Sequence, residues 1–295
     1  MILMMNKHPL ELNGKYLSLL RDANDLLGDS EALQARIEED GYLLIRGLHS
    51  RNKIERARQF LLEKLNENGQ LDKSYALSQG RPAEGKPGAF LGGKKAVTHN
   101  PAFLDVVESP EVMNFFEAYF DAPVITYDFK WLRVIGPGGF SGAHYDIVYM
   151  GRGTKHLLTC WTPLGDVPLE MGPLALLVGS HRFEAIKKTY AKMDVDRDRV
   201  TGSFSSDPME LVNSYGGRWE TSSFEMGDVL IFGMYTMHGS LDNTTNRFRL
   251  STDTRYQRGD EPVDERWIGE NPIAHYAWME GKTIPMEEMR KRWGV

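Results

Sequence analysis

The chain has 295 residues, 41% hydrophobic and 26% charged, enough to bury a sizeable core and within the range of an all-β barrel carrying extra helices. A formal net charge of −6 leaves no basic footprint and argues against nucleic acid as the main partner. The single cysteine, Cys160, excludes an internal disulfide framework and any multi-cysteine zinc site, and its apolar surroundings make it a core residue.

In chain order, the apolar opening Met1 to Met5 is shorter than the roughly 7–15 residues of a secretory-signal core. No apolar run approaches the ~18 residues of a membrane span, so a cytoplasmic location is the default expectation. An acidic helix beginning near Ser30 leads into a buried strand within Gly41 to Leu48, and Ile54, Ala57, Leu61 and Leu65 form an apolar helical stripe. Ser109-Pro110-Glu111 combines an N-cap serine, a proline at the first helical position and an acid in the first turn, which predicts a helix to about Phe120. Residues 1 to about 120 therefore read as helices around a short strand.

From Val124 to Ile135 the period becomes two: Ile125, Tyr127, Phe129 and Trp131 share one face, and Thr126, Asp128 and Lys130 the other. Gly136-Pro137-Gly138-Gly139 ends that strand. Others are expected at His156 to Leu164, Leu174 to Val178, Val229 to Tyr235 and Phe248 to Tyr256, punctuated by turn residues. Strands without regular intervening helices predict an antiparallel barrel or sandwich, a mainly β fold with flanking helices. No repeat or linker divides the chain, so 1–295 should be a single domain. The polar segment 183–222 carries its own helix signal at Ser206-Asp207-Pro208, ending near Gly216-Gly217, and reads as an insertion between strands. Its Asp194-Val195-Asp196-Arg197-Asp198 run is no EF-hand, because Arg199 and Ser205 stand where that loop needs glycine and glutamate.

In Ser141-Gly142-Ala143-His144-Tyr145-Asp146, residues i and i+2 of a strand share a face, so His144 and Asp146 can converge on one ion while Tyr145 packs on the other side. His238, after the buried run Val229 to Phe232 and before Gly239-Ser240, supplies a third ligand. Two histidines and a carboxylate on one face of a metal leave the opposite face open, which is how non-haem iron(II) oxygenases admit a chelating co-substrate and O2. Farther on, Arg249 can pair bidentately with a dicarboxylate whose other end chelates the metal. Arg247 shares its strand parity and competes for that role.

The order His144-x-Asp146, Met171-Gly172-Pro173-Leu174, Val178-Gly179-Ser180-His181, Gly227-Asp228, His238-Gly239-Ser240, Asn243-x-Thr245, Arg249 and Arg255-Tyr256 resembles the phytanoyl-CoA dioxygenase family, from about Tyr42 to Tyr256. The resemblance implies a double-stranded β-helix, a cupin-like jelly roll of two sheets with helices outside. It implies iron(II) on His144, Asp146 and His238, with 2-oxoglutarate and O2 as co-substrates. The implied reaction is a dioxygenase's: oxidative decarboxylation of 2-oxoglutarate coupled to hydroxylation, or related C–H oxidation, of a small molecule. Arg249 is favoured over Arg247 as the clamp. By matching position, Ser240 should contact 2-oxoglutarate with Trp161 near it, and Thr159 adds a hydroxyl from the same strand. His181 closes a glycine-serine-histidine turn in a structural role, and Val178 stands where many members carry proline. Related halogenases replace the carboxylate ligand by a small residue; Asp146 favours hydroxylation instead.

Two other classes stay open on the sequence: a non-catalytic metal-binding jelly roll acting as a binding or sensor module, and a cupin-type metallo-isomerase or hydrolase. A dicarboxylate clamp speaks against the first, and the shortage of further histidines near His144 against the second. Asp128, Lys130, Tyr149, Arg152 and Arg255 are candidates to line the mouth. The glycine- and lysine-rich run Gly85 to Lys95 reads as a solvated loop able to cover the site or meet an anion. Part of the insertion 183–222 is expected to be a mobile cover over the site that contributes to substrate choice, with Tyr215 and Trp219 able to make its closing contacts. The expected partner is a small molecule, with neither nucleic acid nor membrane.

Overall fold

The computed structural model describes residues 1–276 and 281–295. Period-two alternation builds two sheets whose inner faces meet. In the larger, the strands run Tyr42–Ile45, Val229–Gly233, Leu158–Pro163, Arg249–Arg258, Trp131–Ile135 and Gly88–Phe90, and Val124–Thr126 pairs the far half of Arg249–Arg258. All these pairs are antiparallel. The smaller sheet has the order His238–Ser240, Leu174–Val178, Arg218–Thr221 and Leu17–Leu19, the last parallel to its neighbour.

Both faces of the larger sheet are covered. Leu43, Ile45, Val229, Ile231 and Cys160 point outward onto Leu33, Val112 and Phe116 of the helices Ser30–Asp40 and Pro110–Phe120. Tyr42, Leu44, Leu230, Phe232 and Trp161 alternate inward and meet Leu174 and Leu176 of the smaller sheet. The stripe Ile54, Ala57, Leu61 and Leu65 of helix Arg51–Glu67 covers Leu132, Val134 and Leu250. Burying each Leu, Ile or Val side chain contributes about 1.5–3 kcal/mol, so these helices hold the sheet that carries the site. The predicted helix starts are present: the Ser109 hydroxyl accepts from Val112 N at 3.4 Å, and Asp29 caps the helix at Ser30 by accepting from Ala32 N at 3.0 Å.

Three sequence expectations are corrected. The first 23 residues form no helix: Ile2–Met5 and His8–Glu11 form a hairpin, and Leu17–Leu19 joins the smaller sheet. The hairpin turns on Asn6 and Lys7, both at positive φ (49° and 66°), the two-residue turn suited to strand twist; Asp242 accepts from both backbone amides at 2.7 and 2.9 Å. The strand expected over Val124 to Ile135 is broken between Thr126 and Trp131. There Lys130 Nζ turns back to Tyr127 O at 2.6 Å, and Asp128 accepts from Gly269 N at 2.6 Å.

The third correction concerns 183–222. Ile186, Tyr190, Val195, Phe204, Leu211 and Trp219 are buried in the largest apolar cluster, and Arg218–Thr221 lies between two other strands of the smaller sheet. Trp219 Nε1 donates to Pro208 O at 2.9 Å. The segment supplies a sheet strand and core side chains, so these parts of it are tied down by burial. No helix among the described residues is long and apolar enough to cross a membrane.

Candidate active site

His144 and His238 lie opposite each other in an isolated antiparallel bridge, His144 N donating to His238 O at 2.9 Å and His238 N to His144 O at 3.0 Å. The regular strand expected for Ser141 to Asp146 is thus reduced to a bridge, and Asp146 sits at the entry of the short helix Ile147–Met150. Convergence survives. Both Nε2 atoms are 3.8 Å from Asp146 Oδ1. Among the described residues these three form the only group of potential metal ligands drawn within 4.8 Å of one another.

The surroundings fix each donor's protonation and aim. His144 Nδ1 lies 2.8 Å from Gly142 O and His238 Nδ1 3.0 Å from Thr236 O. A carbonyl can only accept, so each Nδ1 carries the proton and each Nε2 lone pair faces Asp146. Burial, and then the neighbouring His238, push the His144 pKa down to about 3, keeping a neutral ligand. Burial alone would raise the pKa of Asp146. The Arg255 guanidinium, the two histidines and the Thr159 hydroxyl outweigh it and hold the carboxyl below its ordinary range. Asp146 Oδ2 accepts from Thr159 Oγ1 at 2.5 Å and Arg255 Nη2 at 3.1 Å, leaving Oδ1 as the single oxygen turned toward the imidazoles.

Arg249 is 1% exposed. Its Nη1 donates to Gly172 O, while Nε and Nη2 are buried with no hydrogen-bond partner. Burial pushes its pKa down to about 10. A buried cation with two idle donors is costly unless an anion arrives, so the residues fit a carboxylate here. Arg249, Trp161, His144 and His238 line one cavity, and the Trp161 ring centroid is 6.0 Å from the guanidinium carbon. Arg247 is exposed on the preceding loop, so burial separates the two arginines that parity could not. Gly172, at φ +71°, has no room for a side chain: a Cβ would stand 2.5 Å from Leu241 O.

The other expected site residues are distributed unequally. Ser240, two residues beyond His238 and fully buried, accepts from Ser141 N at 2.8 Å, leaving its proton to donate. Thr159 is corrected from a co-substrate contact to a donor onto Asp146. Arg255 is corrected from the mouth to the interior, where it holds Asp146 and stacks 4.1 Å from the Trp131 centroid. Lys130 is buried against Glu108 at 2.8 Å, Asp128 holds the Gly269 amide, and Arg152 pairs with Asp194 at 2.7 Å; these three are structural. Besides Arg255, Tyr149 stays beside the ligands, its ring edge-on to His144 at 5.5 Å. Tyr215 and Trp219 pack in or against the core. Arg266 pairs with Asp194 and Asp196, and Arg197 with Asp198, so arginines balance the aspartates of the 194–198 run.

The packing residues fall as expected. Tyr145 OH donates to Ser180 O at 2.5 Å, and Ser180 Oγ accepts from Met237 N at 2.8 Å beside His238. His181 Nε2 meets Glu38 O at 2.9 Å. Cys160 is buried, its thiol pushed up to about 12 by burial. Sequence reasoning missed Arg133 and Asp253, which also line the cavity and pair at 2.6 Å. The available signal was phase: Arg133 shares a face with Trp131 and Ile135, and Asp253 with Arg249 and Ser251.

Three convergent ligands, one of them a singly offered carboxylate oxygen, beside a buried arginine awaiting an anion, define an iron(II)- and 2-oxoglutarate-dependent oxygenase. The model of the phytanoyl-CoA dioxygenase (PhyH) family matches residues 37–251, and the chain belongs to that family. It is 26% identical over 252 residues to the 1-deoxypentalenic acid 11-beta-hydroxylase of Streptomyces exfoliatus, covering 80% of this chain and 84% of the relative. In fold it is similar to the non-heme alpha ketoglutarate dependent epimerase SnoN from nogalamycin biosynthesis (TM-score 0.56, 17% identity, covering 87% of this chain and 97% of that one). EctD from S. alaskensis gives a TM-score of 0.57 at 16% identity, covering 91% of this chain and 92% of that one.

Proposed function

We propose that His144, Asp146 and His238 hold one iron(II), that Arg249 clamps the distal carboxylate of 2-oxoglutarate with Ser240 donating and Trp161 walling the same cavity, and that the enzyme hydroxylates an unactivated carbon of a small organic molecule. The two sheets constitute a double-stranded β-helix, and the chain works as a single domain, since its first 45 residues contribute strands to both sheets. The observation that carries this is the Arg249 guanidinium, buried with Nε and Nη2 unpartnered in the cavity that also contains two of the ligands. A metal-binding or sensor module has no use for it.

Iron(II) and 2-oxoglutarate, when bound, would supply the electrons that activate O2, the oxidant, with one oxygen atom going to the substrate and the other to succinate, and CO2 released. The chain supplies the setting. Gly142 O and Thr236 O fix both imidazole tautomers, and Thr159 with Arg255 keeps Asp146 to one free oxygen. Hydroxylation is favoured over halogen transfer because Asp146 is present and held ionised. The relative named 1-deoxypentalenic acid 11-beta-hydroxylase supports a small-molecule substrate.

The test is optical. Anaerobic protein with iron(II) and 2-oxoglutarate should develop a weak visible charge-transfer band, absent from His238→Ala along with stoichiometric iron. A variant that keeps both would refute the ligand set.

A further inference from the structure

Five ionised side chains stand on or beside the inner wall of the site: Arg133, Arg249, Arg255, Asp146 and Asp253. That is three cations against two anions. Iron(II) and the 2-oxoglutarate dianion cancel each other, so one positive charge stays uncompensated when both are bound. Buried charge demands a counter-charge.

Two of the arginines are spoken for: Arg255 holds Asp146 at 3.1 Å, and Arg249 is the proposed clamp. Arg133 differs from both. Its side chain is 28% exposed, against 1% for Arg249 and 2% for Arg255 as whole residues. Its Nε donates to Asp253 at 2.6 Å, and its two Nη nitrogens have no hydrogen-bond partner among the described residues. It therefore reaches from the cavity of His144 and His238 toward solvent with a bidentate edge unused.

The edge strand Gly88–Phe90 supplies what lies beside it. Phe90 is directly opposite Arg133 in the ladder, and opposed residues share a sheet face. Its ring is 5.5 Å from the guanidinium carbon and the residue is 49% exposed. The glycines that follow are there for packing: a Cβ on Gly92 would lie 2.3 Å from the Phe90 ring, and one on Gly93 2.4 Å from Phe129. The run expected to be a solvated loop thus presents an apolar ring beside an unsaturated guanidinium.

Resting on the iron and 2-oxoglutarate reading above, we propose that Arg133 anchors the substrate, and that the substrate is an apolar small molecule bearing a single carboxylate. The Nη edge takes the carboxylate bidentately, and the apolar body lies between Phe90 and the ligand histidines. Two free nitrogens match two carboxylate oxygens; a phosphate would leave an oxygen undonated.

The experiment uses the anaerobic protein loaded with iron(II) and 2-oxoglutarate, reading perturbation of its charge-transfer band. The probes are cyclohexanecarboxylate, adamantane-1-carboxylate and dodecanoate, each against its methyl ester, with dodecyl phosphate as a further arm. At least one carboxylate should bind about tenfold or more tighter than its ester, and Arg133→Gln should erase that preference while Arg133→Lys keeps part of it. Equal binding of acid and ester, failure of every carboxylate, or tighter binding of the phosphate would overturn the proposal. So would Arg133→Gln losing affinity for 2-oxoglutarate itself, since the guanidinium would then serve the co-substrate. A wild-type protein that forms no band would overturn the underlying reading and this inference with it.

Discussion

Replacing Arg249 by methionine should make the ligand-free protein more stable and the ligand-bound protein less so. Burial pushes the guanidinium from its ordinary 12.5 to about 10. The folded value lies below the unfolded one, so folding disfavours the charged side chain at every pH below about 10, and the penalty fades only above that. The gap corresponds to about 3 kcal/mol at pH 7. Methionine keeps much of the apolar volume but strands the Gly172 carbonyl that Arg249 satisfies, at a cost of about 1–3 kcal/mol. The net is a gain of up to about 2 kcal/mol, or up to ~3 °C in melting temperature for a chain of this size. With iron(II) present and 2-oxoglutarate at a hundred times its Kd, the wild type should gain about 2.7 kcal/mol that the variant cannot, and the order reverses. Anaerobic thermal melts with and without 2-oxoglutarate measure both, with exposed Arg247→Met as a control that should follow the wild type. A ligand-free Arg249→Met less stable than wild type, or equal stabilisation of both by 2-oxoglutarate, would refute the reasoning.

Trp219→Ala should cost about 3–5 kcal/mol in urea melts, because the indole is fully buried in the main cluster, and amides of 218–221 should exchange slowly without any ligand; a loss under about 1 kcal/mol would restore the mobile-lid picture. Thr159→Val removes a 2.5 Å donor from Asp146 and should weaken iron(II) binding roughly 10–100-fold, with little change in 2-oxoglutarate affinity at saturating metal. The opposite outcome would return Thr159 to the co-substrate.

What the sequence discloses well is what local chemistry dictates. Ser109-Pro110-Glu111 contains a cap, a fixed φ and a favourable dipole contact within three residues, and the helix starts there. Leu174–Val178 is framed by Pro173 and Gly179 and appears with the expected bounds. The convergence of His144, Asp146 and His238 was legible because ordered motifs specify it, though the geometry joining them is a bridge and a helix entry, not the regular strand expected. The N-terminal hairpin was missed because its turn is Asn6-Lys7, with lysine where glycine would have announced positive φ; what holds it is Asp242, far along the chain. The insertion was misjudged for a related reason. Its polar residues are local, but Ile186, Phe204 and Trp219 find their apolar partners at long range.

The charged inner wall shows where such reading stops. In a sheet with one solvated face, a charge in phase with apolar residues would stand out. Here helices cover the outer face and the second sheet covers the inner one, so Leu250 and Arg249, on opposite faces of one strand, are both buried, 2% and 1% exposed. Period two then says which residues share a face without saying which face is the site. Arg133, Asp253 and Arg255 were in view as charged residues, yet only pairing across strands shows that they stand with Arg249 and Asp146 in one enclosure. Enclosure is what gives them meaning. At a surface each ion pair would contribute little, whereas Arg249, Arg255, Asp146 and Asp253, buried together, act on one another through a low-dielectric wall.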